Sequence, residues 1–328
     1  MSYETENEFP LKARIDRLKQ IITLLGFEEI NISHNKNCIE SYFWSSDKDY
    51  KSYVGVELSI YMIKDKIKIT TRSRVGRSYW DLLKQNDTVT FLFDVFGGTF
   101  RSDAGEKKLE TISEKPPAKL KTGLYLANWN YYNAMIKPEL YLKERGVVQL
   151  DINKKNPFNM IFKEFNPYYF SNNLLIPYLV AAWEQLFKES FVVLLKCSDN
   201  KAAILKKGYL SNHQLEKISF GKTTIEDEFV NSFSFQKPAN ISENFNIIDK
   251  NLDLAGQLKK PFKNRKKTLY ESIEETVLLR HKIVHTGKID ILIEEKKLKT
   301  IINDFKISTK RIYKYFGCKY NFVPKKIY

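Results

Sequence analysis

Between Leu174 and Cys197 the chain carries apolar side chains around most of the circumference of a helix, and this stretch constrains the fold more than any other. Leu175, Leu179, Ala182, Leu186, Ser190, Val193 and Cys197 fall three or four residues apart and trace one face, while Trp183, Phe187, Phe191 and Leu194 widen it. A helix of this kind is stable only when other helices cover it, so the second half of the chain is expected to be a helical bundle. Shorter helical patterns follow at Lys201–Leu205, Ser211–Ile218 and Ile225–Phe233, and longer ones from Thr268 to about His285 and over roughly Ile293–Phe316.

The first part of the chain has a different period. Leu11, Ile15, Leu18, Ile22 and Leu25 mark an amphipathic helix. Three β-type runs come next, Cys38–Trp44, Tyr53–Ile63 and Lys66–Thr71. In the second of these, Val54, Val56, Leu58 and Ile60 alternate with smaller or polar residues, as a half-buried strand requires. Lys64-Asp65 fits a tight turn between the second and third runs, and a helix from Ser78 to about Gln85 is expected, with Ser78 as its cap. The reading is therefore α+β: a small α+β domain over residues 1–112, a linker over 113–120 around Pro116-Pro117, a connecting segment over 121–167, and an all-helical domain over 168–328.

Charge narrows the partners. Lys and Arg outnumber Asp and Glu by 15, and from Asn251 to Tyr328 there are 19 basic and 8 acidic side chains. Such a concentrated positive field suits a polyanion, nucleic acid above all, although a lysine-rich proteome would produce the same excess as ordinary solvated surface. Two segments carry the charge in forms that could bind nucleic acid. One is the run holding Lys259, Lys260, Lys263, Arg265, Lys266 and Lys267; its plain alternative is a solvated loop. The other groups Arg72, Arg74 and Arg77 beside Tyr79 and Trp80, where guanidinium forks suit phosphates and aromatic rings suit bases; its alternative is an exposed loop with Trp80 in the core. The three cysteines, Cys38, Cys197 and Cys318, lie far apart, which argues against both a disulfide framework and a zinc site. The charged start of the chain lacks the apolar run of a signal peptide, and nothing reads as a membrane span, so a cytoplasmic protein with no membrane partner is expected.

Chemistry is concentrated in one segment. Of four histidines, two fall in Leu278-Leu-Arg-His-Lys-Ile-Val-His-Thr-Gly-Lys288, and on a helix His281 and His285 share a face beside Arg280. A neutral imidazole can take the proton of a ribose 2′-hydroxyl, which then attacks the adjacent phosphorus, while an Arg stabilises charge growing on the phosphoryl oxygens. No cofactor is needed for this. With ten arginines and four histidines, an Arg followed by His at such spacing arises readily by chance. The apolar Ile273, Val277, Ile283 and Val284 around it and the basic run before it strengthen the case. Two alternatives stay open. Cationic residues followed by Gly287 are also what an ordinary helix end looks like. Histidines at i and i+4 can also share a zinc ion, though no nearby acid or cysteine completes a ligand set.

The segment resembles the signature of the HEPN superfamily (higher eukaryotes and prokaryotes nucleotide-binding), in which Arg, four to six residues and His form the ribonuclease motif; a polar residue, here His281, commonly follows the Arg. Ala182-Trp-Glu-Gln-Leu-Phe-Lys188 resembles the first long HEPN helix, which often carries an acid near the site, and Glu184 takes that place here. An i,i+4 pair with Lys188 would account for Glu184 equally well. The resemblance covers roughly residues 168–325, with 198–258 as an insertion. It implies a metal-independent endoribonuclease acting on RNA, with Arg280 and His285 essential and His281 less so. It also implies a homodimer in which two motifs meet, and a toxin or antiviral-defence setting with a regulatory partner or antitoxin. The competing expectation is a catalytically silent HEPN-like module that binds nucleic acid or protein.

Overall fold

Val56, Leu58 and Ile60 are buried and Glu57, Ser59 and Tyr61 are not, so the period-2 pattern of the sequence becomes one face of a strand. The computed structural model describes residues 2–10, 15–30, 37–46, 50–52, 54–63, 66–112, 115–145 and 166–322. They divide into two units, Met1–Thr122 and Gly123–Tyr328.

The first unit runs β1 (Tyr3–Pro10), α1 (Ile15–Leu24), β2 (Glu28–Ile30), β3 (Cys38–Trp44), β4 (Val56–Ile63), β5 (Lys66–Ser73), α2 (Tyr79–Phe96), β6 (Thr99–Ser102) and β7 (Gly105–Glu106). The strands form one antiparallel sheet in the order β2-β3-β4-β5-β1-β6-β7. Phe9, Tyr42, Leu58, Ile60, Ile67 and Ile69 meet Leu18 and Ile22 of α1 and Leu92 of α2 in its core. Burial of this apolar surface is the main favourable contribution to the unit's stability. Ser78 caps α2 through a reciprocal pair of bonds with Asp81, as its position suggested, but the helix continues eleven residues past Gln85. The Lys64-Asp65 turn lies outside the described residues.

The sequence reading assigned no element before Leu11, yet β1 sits inside the sheet, paired with β5 along its whole length and with β6. The reason is chemical. Two of its four inward positions are polar: Thr5 hydrogen-bonds Thr71 at 2.6 Å, and Asn7 donates to the Val89 carbonyl at 3.2 Å. Outward, Glu4, Glu6 and Glu8 pair with Arg72, Lys68 and Lys66 of the neighbouring strand.

The second unit is helical: α3 (Lys119–Glu144, which begins just before it), α4 (Pro167–Lys196), α5 (Lys201–Leu205), α6 (Asn212–Ser219), α7 (Ile225–Val230), α8 (Pro238–Ile248), α9 (Leu254–Lys259), α10 (Leu269–Thr286) and α11 (Glu295–Lys319). The long apolar pattern is α4, starting seven residues earlier than expected, with Asn166 as its cap. Trp183, Phe187 and Phe191 of α4 meet Phe235, Phe245 of α8, and Phe305 and Phe316 of α11 in an aromatic core. Because Phe235, Ile241 and Phe245 are buried here, the segment 198–258 is part of the bundle and not an appendage. Part of the stretch expected only to connect the domains is the helix α3, which buries Leu124, Tyr131 and Met135.

Candidate active site

The site is built on the last turns of α10. Thr268 opens that helix with a capping box to Glu271, and Leu269, Ile273, Val277 and Ile283 bury its inner face. Gly287 closes it with φ 63°, a conformation costly for any residue with a Cβ, and its N–H bonds to the Ile283 carbonyl at 2.9 Å. The chain beyond is held by α4. The Asn173 side chain accepts from the Asp290 N–H at 2.9 Å and donates to the Asp290 carbonyl at 3.0 Å, and Asn172 donates to the Ile293 carbonyl at 2.7 Å. The helix end bearing the histidines is thus fixed on both sides.

On that end His281 and His285 lie one turn apart with parallel rings, 3° between planes and centroids 5.8 Å apart. Arg280 Nη1 approaches His281 Nδ1 at 3.4 Å. A guanidinium can only donate, so this contact requires Nδ1 to be unprotonated and leaves the ring proton on Nε2. Arg280 and His281 are half-buried, and His285 is exposed. Burial, and then the charges of Arg280, His285 and Lys237, hold His281 below the usual imidazole range, while Glu184 opposes them. His281 is therefore neutral at neutral pH.

Glu184 stands half-buried on α4 and accepts a hydrogen bond from Gln236 Nε2 at 3.0 Å. The indole of Trp183 donates to the Gln236 carbonyl at 3.2 Å. These two bonds dock the residues before α8 against α4 and bring Lys237 into the field of His281. Gln236 and Lys237 escaped the sequence reading. Their only local signal is Lys-Pro at a helix start. Among the described residues no group of three His, Cys, Asp or Glu side chains is placed to hold a metal ion.

The basic run lies at the other end of α10. Thirteen residues separate Thr268 from His281, about 20 Å along a helix, so the two groups are not brought together. Arg265 is bound to the buried Asp304 by two bonds of 2.5 and 2.9 Å, and Ser272 adds a third at 2.5 Å. Its guanidinium is an anchor for the loop. Lys267 pairs with Glu275 at 2.6 Å, Lys259 lies over the Tyr270 ring, and Lys260 bonds Gln257. Lys263 lies over Phe262, and both it and Lys266 are exposed. In the first unit Arg72, Arg74 and Arg77 face Glu4, Glu57 and Glu110. Arg77 also lines a cleft of about 1220 Å³ with Tyr3 and Tyr79. Trp80 is only half-buried and packs edge-on against Tyr79.

A helical bundle with an Arg-x4-His segment at the end of one helix, and an acid on the long helix beside it, defines a HEPN-type domain. A family model described as RiboL-PSP-HEPN matches residues 147–317, just over half of the chain, and the protein belongs to that family. No curated protein and no solved structure matches the chain. Membership supports a role connected with nucleic acid. No described helix is long and apolar enough to cross a membrane.

Proposed function

We propose that the chain is a metal-independent endoribonuclease of HEPN type. The observation that carries this reading is the joining of Arg280, His281 and His285 at one helix end, with His281 held neutral. Arg280 occupies Nδ1 of His281, so the exposed His285 is the side chain free to act as base. It takes the proton of a 2′-hydroxyl; the O2′–P bond forms, the P–O5′ bond breaks, and the departing 5′-oxygen takes a proton from water. The products are a 2′,3′-cyclic phosphate and a 5′-hydroxyl. Arg280 and the Nε2–H of His281 stabilise the charge on the phosphoryl oxygens.

One helix end is a shallow place for this chemistry. Leu278 and Val284, 57% and 49% exposed, flank the histidines with apolar surface. Both features favour a homodimer in which a second copy covers the motif. A toxin or antiviral-defence setting, with an antitoxin or other regulatory partner, is the context this activity suits.

The test is degradation of single-stranded RNA by the purified chain in EDTA. Wild type should cut, and His285→Ala should lose at least about 100-fold in rate. Activity abolished by EDTA, or retained in the variant, would overturn the reading.

A further inference from the structure

The faces of α3 sort its aromatic residues. Leu124, Ala127, Tyr131 and Met135 are buried, while Tyr125, Trp129 and Tyr132, four and three residues apart, form a stripe beside them. Trp129 is 37% exposed, and the two tyrosines are half-buried. The three rings follow one another nearly parallel. Tyr125 and Trp129 lie 6.4 Å apart between centroids with 16° between planes, and Trp129 and Tyr132 lie 6.3 Å apart with 27°. In the core of the same unit, Phe187, Phe191, Phe233 and Phe235 meet their ring neighbours at 44° to 87°, as packed aromatic side chains commonly do. Resting on the ribonuclease reading above, we infer that Tyr125, Trp129 and Tyr132 are a stacking platform for the bases of single-stranded RNA, a contact separate from the helix end that cuts.

The parallel planes choose the occupant. Neighbouring bases of a stacked single strand are themselves parallel, so a row of parallel rings can meet more than one of them, and every base offers a π-face whatever its identity. A protein partner gives no reason to keep the planes parallel, because side chains meet rings equally well edge-on. The surroundings suit a polyanion. From Gly123 to Pro138 the chain has no acidic residue, and Lys137 is its one charge. Asn128, Asn130 and Asn133 alternate with the rings, and their amides both donate and accept, as base edges require. Asn130 donates to Glu189 of α4 at 3.2 Å and Gln185 donates to the same carboxylate at 2.8 Å, so that acid is engaged within the protein. The net charge of +15 draws phosphates from a distance, and the platform takes the bases.

The test uses the full chain and two single strands of equal length: a 2′-O-methyl RNA oligonucleotide, which blocks the nucleophile, and its abasic counterpart, which keeps only the backbone. Wild type, Trp129→Ala and Trp129→Phe are compared in Kd over a range of salt and in oligomeric state by sedimentation. In Trp129→Ala the Kd for the base-bearing strand should rise at least about fivefold, as for loss of one stacked base. The slope of log K against log salt should not change, because no phosphate contact is lost. Trp129→Phe should keep most of the affinity, and the abasic strand should bind all three proteins alike. If wild type cuts RNA while Trp129→Ala matches it in Kd, this proposal fails and the ribonuclease reading stands. An equal loss on the abasic strand would also overturn it, since the bases would then not be what is held. A dimer that dissociates in Trp129→Ala with Kd unchanged would make the stripe a contact between copies instead. If wild type neither binds nor cuts RNA, the ribonuclease reading itself fails, and this proposal with it.

Discussion

Removing Arg280 should be felt first by the residue beside it. Arg280 is the largest charge holding His281 below the usual imidazole value, second only to burial. In Arg280→Ala the His281 titration, followed by NMR, should therefore move up toward the ordinary value of about 6.5. RNA cleavage should fall at least about 100-fold, because a donor to the phosphoryl oxygens is lost. An unmoved titration would show that Arg280 and His281 do not face each other in solution. The sign for stability follows from the same shift. The native chain binds fewer protons than the unfolded chain just below pH 6.5 or so, so this side chain's contribution is full above that value and fades as pH falls through the window. Arg280, His281 and His285 were legible because they are neighbours in sequence and one helical turn joins them. Glu184 came only from family likeness. Gln236 and Lys237 could not be read at all, since their place depends on a hydrogen bond spanning 52 residues.

The basic loop between α9 and α10 shows how an element reassigns its residues. Six cations within residues 259–267 read as one nucleic-acid surface, yet Arg265 is bound to Asp304, which is 1% exposed. Arg265→Ala leaves that carboxylate with Ser272 alone and should cost about 3 kcal/mol in urea unfolding. Lys263→Ala and Lys266→Ala should leave stability within about 0.5 kcal/mol of wild type. Equal stability of all three variants would return Arg265 to the binding surface. Acidic partners distant in sequence also explain Arg72, Arg74 and Arg77, whose glutamates lie 68, 17 and 33 residues away. Elsewhere, elements were legible where apolar periodicity was unbroken, as in β4, β5 and α4. They were hidden where polar side chains serve the interior, as in β1, or where proline and small polar residues break the pattern. In α2, Thr88 bonds back to the Lys84 carbonyl and Asn86 reaches the Glu110 carbonyl, so residues that resemble a helix stop are built into the helix.

At the scale of the molecule, the net charge of +15 has two different meanings. On the sheet of the first unit the outward strand faces are laced with ion pairs, so much of the positive charge there is locally neutralised. Such exposed pairs contribute little to stability individually. In the second unit the excess sits on α11 and on the basic run before α10, in the same unit as His281 and His285. The division into a sheet unit and a helical unit was visible in the change of period, because periods of 2 and 3.6 leave different spacing in the sequence. The helix α3 was not, because Gly123 and Pro138 interrupt a segment that looks aromatic more than amphipathic. Its packing becomes plain only once α4 and α11 supply Tyr178 and Lys306, which donate to the Ala134 carbonyl and the Glu139 carboxylate of α3.

The central claim is that Arg280, His281 and His285 cut RNA by turning its own 2′-hydroxyl on the neighbouring phosphorus. A DNA oligonucleotide containing a single ribose tests it most directly, with wild type and His285→Ala compared in EDTA and the product ends identified by mass spectrometry. The account predicts that wild type cuts only on the 3′ side of that ribose, leaving a 2′,3′-cyclic phosphate upstream and a 5′-hydroxyl downstream, and that His285→Ala leaves the strand intact. Cleavage at deoxyribose positions, or a 5′-phosphate on the downstream product, would contradict it.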